Sequence, residues 1–473
     1  MYTSSFSPID FKFGIFLSLS ILFFILLSSE KKQSLIFSYI YGISIFFSGI
    51  SWIYVSIYYY GGENFTLSLL ITVSFIMFLS LLVVPVGLIL NKSYQDRSFV
   101  TLMIVPSTWV GLELLRSVIF GGFPWLIAGH SQIGTLFNMI YPIAGSYFVS
   151  FIVVTISIVF VLFLKNNLCN SNLKNIVLLT IAFSLLYFYN PIWSEDKKDS
   201  LEISILQPNI NLGLKYDYSQ IDLIKKKYLS IISENITNQT IVFPETAIPL
   251  IYEKDKEFYN SVLSLNNSTV ITGIFHKKLN QNKIYNSMLV LNKDEQIYNK
   301  RHLVPFGEYI PFKDFFSYIA KRLNIPMSDL SHGDLNQKPF SVDNITMHPL
   351  ICYEIAYPSL INMTNDYSVI INISNDAWFG DTFAPYQHLQ IAQVRALETA
   401  HPIIRAANTG ISAIIDKNGL IIAIIGLDTE GFINGKVYPS KGITPYMYFG
   451  DYPLLMLIFS IMLFYWTRYR RYE

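Results

Sequence analysis

The feature that most constrains this chain is where its long apolar runs lie. A helix of about 20 mostly apolar residues crosses a bilayer core about 30 Å thick. Runs of that kind lie near 11–29, 34–59, 65–90, 98–120, 146–164, 174–192 and 451–467. Between the last two stands a long charged stretch broken by turns. The pattern predicts a polytopic α-helical membrane bundle with a water-facing domain inserted before the final helix. The expected divisions are a membrane domain over 1–193, an outer domain over 194–446, and a last helix with a basic tail over 447–473. Charged residues make up only 14% of the 473, whereas a soluble domain carries about a quarter.

Lys and Arg give the bundle a direction, because positive loops stay in the cytoplasm. Lys31 and Lys32, Lys92 and Arg97, Lys165 and Lys174, and Arg468, Arg470 and Arg471 mark alternate gaps between the runs. Seven spans then put the N-terminus and the 194–450 segment outside and the C-terminus inside. The first run is not expected to be a cleaved signal peptide, since Lys31 and Lys32 follow it and no small-residue cleavage site does. Glu113 and Arg116, three apart within an apolar span, call for an ion pair or contact with a lipid head group. The segment from Gly121-Gly-Phe-Pro-Trp125 to Gly134 reads as a re-entrant or flat interfacial stretch, and Tyr54, Tyr58, Tyr59 and Tyr60 as an interfacial belt.

From Leu201 onward short apolar runs alternate with polar turns. Runs at 203–206, 240–243, 269–272, 287–291, 349–352, 368–373, 403–406, 412–416 and 420–425 read as strands, and Ile221, Ile224, Tyr228 and Ile232 recur at helical spacing. The result is one layered α/β domain. Three side chains fall at or near strand ends: Glu245 after 240–243, Cys352 closing 349–352, and Lys300 ahead of the turn-rich loop that carries Glu308. Singly, each has an ordinary reading: a turn cap, a small buried hydrophobe and a solvated charge. Together they make a working set, with a base for the thiol proton, a thiolate to attack a carbonyl and an ammonium to hold the oxyanion. No Gly-x-Ser-x-Gly occurs, and the seven His lack metal-ligand spacing. His302, His388 and His401 therefore read as hydrogen-bonding or structural residues. A net charge of +1 offers no basic face for nucleic acid. Cys169 falls in a cytoplasmic loop and Cys352 in the outer domain, which leaves Cys352 a free thiol.

The order Pro244-Glu245-Thr246, then Asn299-Lys300-Arg301-His302 through Glu308, then Ile351-Cys352-Tyr353-Glu354 resembles the Glu-Lys-Cys triad of the nitrilase superfamily. Ser374-Asn-Asp-Ala-Trp-Phe-Gly380, Gln387-His388, Arg395-Ala-Leu-Glu398, Ser48 to Ser56, Gly122-Phe-Pro-Trp125 and Gly442-Ile-Thr-Pro445 are similar to the membrane-bound branch of that superfamily, the apolipoprotein N-acyltransferases. The resemblance implies an α-β-β-α nitrilase-like outer domain, periplasmic, on a multi-pass bundle in a bacterial inner membrane, acting as a monomer with no metal and no cofactor. It implies transfer of an acyl chain from a phospholipid, chiefly phosphatidylethanolamine, through a Cys352 thioester to the α-amino group of a diacylglyceryl apolipoprotein. Glu245 is then the general base, Lys300 supports the oxyanion, and Glu308, Tyr353 and Glu354 support the site. Tyr216 stands where many relatives carry Trp. Tyr216, Phe306, Tyr309, Phe316, Trp378 and Phe379 are expected along the acyl-chain route, with core packing the competing reading for Phe315, Phe316 and Ile319. The family usually has eight membrane helices, against the seven expected here. A membrane-tethered amidase would use the same triad without a lipid route. A channel with a sensory domain leaves the triad unexplained.

Overall fold

The computed structural model describes residues 1–473 apart from 94–98, 166–190, 236–239, 267–268, 279–282, 293, 310–329 and 470–473. Contacts divide the chain into two compact units. One is Met1–Tyr54, Thr66–Trp193 and Thr444–Glu473; the other is Val55–Phe65 with Ser194–Ile443.

Among the described residues of the first unit, three helices are long and apolar enough to cross a membrane: Lys31–Ile50, Phe65–Leu90 and Tyr141–Leu164. Gly14–Leu27 and Tyr452–Thr467 are shorter apolar helices, and Phe99–Arg116 is a helix with Pro106 inside it. Up to residue 190, the run expected near 174–192 lies outside the described residues. Small residues let these helices approach closely. A Cβ added to Gly42 would lie 2.9 Å from Ser80 Cα, and one added to Gly87 would lie 2.6 Å from the Ser34 carbonyl oxygen. The buried Ser38 and Ser80 hydroxyls donate to carbonyls four residues back, which satisfies them inside the apolar unit.

The segment expected to be re-entrant or flat packs into this unit, with Trp125, Leu126, Ile127, Ala128, His130 and Gln132 all buried. The Glu113 and Arg116 side chains hold it there. Glu113 Oε1 accepts from Trp109 Nε1 at 3.0 Å and from the Ala128 amide at 2.9 Å, while Arg116 reaches the Leu126 carbonyl at 3.5 Å and lies over the Phe46 ring. The run expected over 34–59 is not one helix. It stops at Ile50, and Ser56–Tyr60 forms a separate π-helical turn that belongs to the second unit. There Ser56 Oγ donates to the Trp378 carbonyl at 2.7 Å and Tyr60 meets the Trp378 ring edge to face, so Tyr60 is tied to protein instead of standing in a lipid belt.

The second unit contains two mixed sheets. Strands β1 (Leu201–Gln207), β2 (Thr240–Val242), β3 (Thr269–Lys278), β4 (Lys283–Leu291) and β5 (Glu295–Asn299) line up in that order in the first. Strands β6 (Phe340–Val342), β7 (Ile345–Ile351), β8 (Ser368–Ser374), β9 (Ile403–Ala407), β10 (Ser412–Ile415) and β11 (Ile421–Ile425) follow one another in the second. Strand β12 (Gly431–Val437) returns to pair antiparallel with β1. Each sheet has a parallel centre, β1-β2-β3 in one and β7-β8-β9 in the other.

Ile203, Ile205, Val242, Ile271 and Met288 from the first sheet share one apolar core with Met347, Ile351, Val369, Ile371 and Ile404 from the second. The alternate residues of the first sheet, such as Leu206, Ile241, Phe243 and Val270, pack outward on Tyr228 and Ile232 of helix Ile221–Asn235 and on Tyr259 and Val262 of helix Lys256–Asn266. Strands buried on both faces read as mostly apolar runs without polar alternation, as 240–243 and 368–373 do. Helix Ala384–Thr399, buried on nearly every face, packs beside β9. The unit is a nitrilase-like α/β domain. The C-terminal ends of its parallel strands release the chain into Pro244-Glu245, Cys352 and Asn375-Asp376, the edge at which such sheets hold ligands.

Candidate functional site

Glu245 leaves β2 on a turn laid against β3. The Gly273 amide donates to the Pro244 carbonyl at 3.2 Å, and the Ala247 amide donates to the Gly273 carbonyl at 2.9 Å. A Cβ on residue 273 would fall 2.5 Å from Glu245 Cα, so only glycine lets the turn lie so close. Lys300 follows β5 directly, its amide still paired to the Asn286 carbonyl at 2.8 Å. Cys352, expected to close its strand, instead opens a 3-10 turn just past β7, which ends one residue earlier at Ile351, and it takes a left-handed conformation with φ 53°. Thr246 (φ 47°) and Phe306 (φ 62°) are left-handed too. Non-glycine residues held in that region cluster at functional sites, and here they sit on three loops of one site.

The charged centre is compact and buried. Lys300 Nζ is 2.8 Å from Glu308 Oε2 and 3.6 Å from Glu245 Oε1. Asn286 Nδ2 bridges the two carboxylates, donating to Glu245 at 2.7 Å and to Glu308 at 2.8 Å. Glu308 also accepts the Val304 amide, which closes its own loop. Burial alone would lower the Lys300 pKa, but the Glu308 and Glu245 carboxylates and Cys352 outweigh it and hold the amine well above the ordinary lysine range. Lys300 is therefore an ammonium at neutral pH.

The Cys352 thiol is pushed up by burial and then by Glu245, with Lys300 pulling the other way. Glu245 and Lys300 thus both act on the thiol, and Glu245 and Cys352 both act on Lys300. A thiol held up in this way rests protonated at neutral pH, so attack by its sulfur requires a base.

The other residues named from the sequence take clear positions. Glu354 is fully buried and works as a brace. It accepts from the Tyr298 hydroxyl at 3.0 Å, the Arg301 amide at 2.7 Å, the His302 amide at 3.0 Å and the Ile351 amide at 2.8 Å, tying the Lys300 loop to the Cys352 turn. Tyr353 packs with His302 and Tyr357. The half-buried Tyr216 faces the centre, its phenol pushed up by burial and by Glu245 and Glu308. Phe306 is exposed, Tyr309 packs on His332, and Trp378 and Phe379 are half-buried. Phe315, Phe316 and Ile319 lie outside the described residues.

Residue-by-residue reading missed Asn286, which stands just ahead of the run expected over 287–291 and beside another polar residue, Ser287. It also missed Lys215, whose buried Nζ donates to the Glu245 carbonyl at 2.9 Å.

Both parts of the chain are similar to known proteins. Residues 203–441 match the carbon-nitrogen hydrolase family, and residues 1–159 match the apolipoprotein N-acyltransferase N-terminal domain. An apolipoprotein N-acyltransferase of Coxiella burnetii is 34% identical over 468 residues, covering 97% of this chain and 96% of its own. Those of Photobacterium profundum (33%, covering 96% and 90%) and Methylococcus capsulatus (31%, covering 99% and 94%) are similar over comparable lengths. With relatives matching it nearly end to end and both domains identified, this enzyme belongs to the apolipoprotein N-acyltransferase family.

Proposed function

We propose that this enzyme moves an acyl chain from a phospholipid, chiefly the sn-1 chain of phosphatidylethanolamine, to the α-amino group of the diacylglyceryl-cysteine that begins an apolipoprotein. It does so through a thioester on Cys352. The observation that carries the reading is the buried Lys300 ammonium between Glu245 and Glu308, beside a thiol that rests protonated.

Glu245 takes the Cys352 proton as Sγ attacks the ester carbonyl. Lys300 holds the oxyanion, and collapse expels the lysophospholipid alkoxide, which recovers the proton from Glu245. The thioester keeps the acyl group activated without ATP or a cofactor. The incoming amine then gives its proton to Glu245 as its nitrogen attacks, an amide forms, and the sulfur leaves to be reprotonated. Glu308 and Asn286 hold Lys300 and Glu245 in register, and Glu354 and Tyr353 shape the nucleophile turn. Tyr216, Phe306, Tyr309, Trp378 and Phe379 line the acyl route.

In the same reading the α/β domain, over 194–446, faces the periplasm. It is anchored in the inner membrane by the spans of 1–193 and the helix of 447–473, because the donor lives in the bilayer.

Membranes carrying the protein, incubated with acyl-labelled phospholipid, are expected to give a hydroxylamine-sensitive adduct on Cys352. The Cys352→Ala protein is expected to give neither adduct nor N-acylated diacylglyceryl peptide. Persistent N-acylation by Cys352→Ala would end the thioester mechanism.

A further inference from the structure

Strand register places a serine beside the nucleophile. β7 and β8 run parallel with Ile351 opposite Ile373, so one sheet edge carries Ser374 as the last residue of β8 and Cys352 as the first residue of the turn after β7. Ser374 is fully buried and its hydroxyl donates to Asp376 Oδ1 at 2.6 Å; the same hydroxyl acts on the Cys352 thiol, favouring the thiolate against burial.

Asp376 is itself fixed. Arg405 Nη2 donates to its Oδ2 at 2.7 Å, and His388 Nδ1 lies 3.0 Å from its Oδ1. Gly410 makes room for it, since a Cβ there would fall 2.7 Å from Asp376 Cβ. The cluster returns to the nucleophile by a second route: His388 Nε2 donates to the Cys352 carbonyl at 3.2 Å, and Asn372 Nδ2 donates to the Leu350 and Cys352 carbonyls. Arg405 also bonds Asn372. A charged cluster this deep is costly to bury, and it leads to both the thiol and the backbone of the one residue whose conformation matters most.

We propose that Ser374 is a further catalytic residue. As Glu245 removes the thiol proton, the Ser374 hydroxyl turns from Asp376 and donates a hydrogen bond to the Cys352 thiolate. Asp376, His388 and Arg405 are positioning residues that hold the serine and the left-handed Cys352 turn. The inference rests on Cys352 being the nucleophile.

The S–H bond breaks and an O–H bond forms on Glu245, while Ser374 keeps its own proton throughout and returns to Asp376 once the thioester forms. Among the described residues, the charged groups acting on Sγ are Glu245 from the β2 end, Lys300 from the β5 end and Asp376 from the β8 end. The two carboxylates oppose the thiolate, and Lys300 and the serine hydroxyl favour it.

The test uses the full chain in detergent, in a Cys169→Ser background, following iodoacetamide alkylation of Cys352 against pH. Ser374→Ala is expected to raise the alkylation midpoint by about one pH unit and to slow acyl-enzyme formation about tenfold, the effect of one charge-assisted hydrogen bond. Ser374→Thr, which keeps the hydroxyl, is expected to restore both.

Asp376→Asn weakens the competing acceptor and removes a facing negative charge, so it is expected to move the midpoint down. It carries the test if Ser374→Ala fails to fold. A midpoint unchanged in folded Ser374→Ala, or unchanged or raised in Asp376→Asn, overturns the proposal. If N-acylation still depends on Cys352 in that case, the thioester reading stands and only the role of Ser374 falls. N-acylation that survives Cys352→Ala overturns both.

Discussion

Lys215 shows how far a single buried charge is shaped by its neighbours. Burial lowers its pKa to about 7, against the opposing pull of Glu245. The unfolded value is higher, so between pH 7 and about 10 the unfolded chain binds a proton that the folded chain lacks, and stability rises with pH across that window. Below pH 7 the cost of burying the charge is felt in full. Lys215→Met is therefore expected to raise the melting temperature more at pH 6.5 than at pH 9.5, read by tryptophan fluorescence. Because Nζ holds the Glu245 carbonyl, the variant is also expected to lose about tenfold in acyl transfer, on the order of one hydrogen bond to a charged group. An equal gain in melting temperature at both pH values would contradict the lowered pKa. The sequence named Glu245, Lys300, Cys352 and Glu308 because each stands in a recognisable local motif. Lys215 and Asn286 were beyond it, since their partners are set by strand order and by a turn from another part of the chain.

At the scale of elements, the site depends on turns that leave parallel strands in strained conformations. The Pro244–Ala247 turn lies flat on β3 only because residue 273 lacks a side chain. Gly273→Ala is expected to push Glu245 away from Lys300, to destabilise the unit by about 1–3 kcal/mol as overpacking does, and to abolish most acyl-enzyme formation. A variant with normal labelling of Cys352 would show that the turn tolerates the displacement. Strands buried on both faces were legible as apolar runs, and β2, β8 and β9 fall within a residue of where their sequence puts them. Less regular elements were not legible. β5 is a short run of Glu, Gln, Ile, Tyr and Asn on the margin of its sheet, β12 carries two glycines and alternates weakly, and helix Lys256–Asn266 is mostly polar with its apolar residues gathered on one side. The apolar run over 34–59 was misleading in the other direction, because hydrophobicity alone does not show that its last part turns to meet Trp378.

For the whole molecule, two buried histidines set an acid limit. Burial, followed by the charges of His401 and Arg301, lowers His348 to about 3, and burial lowers His401 to about 4 against its hydrogen bonds to Thr399 and Ser440. Both values lie below the unfolded pKa of about 6.5. The unfolded chain therefore takes up protons first, and stability that is complete above pH 6.5 is lost as the pH falls toward 4, by about 1.4 kcal/mol per unit for each group. The melting temperature is expected to drop between pH 7 and pH 4.5, and His348→Gln is expected to reduce the drop. A flat profile in the parent protein would refute the buried neutral state.

The Ser56–Tyr60 turn carries a consequence of another kind. It lies in the chain between two apolar helices, yet its contacts are with a residue 322 positions away. An excised 194–443 fragment, cut where the hydrolase match suggests a portable module, would leave the Trp378 carbonyl without the Ser56 hydroxyl and the Trp378 ring without Tyr60. Gene fusion or domain exchange at that border would thus divide a folding unit instead of separating two.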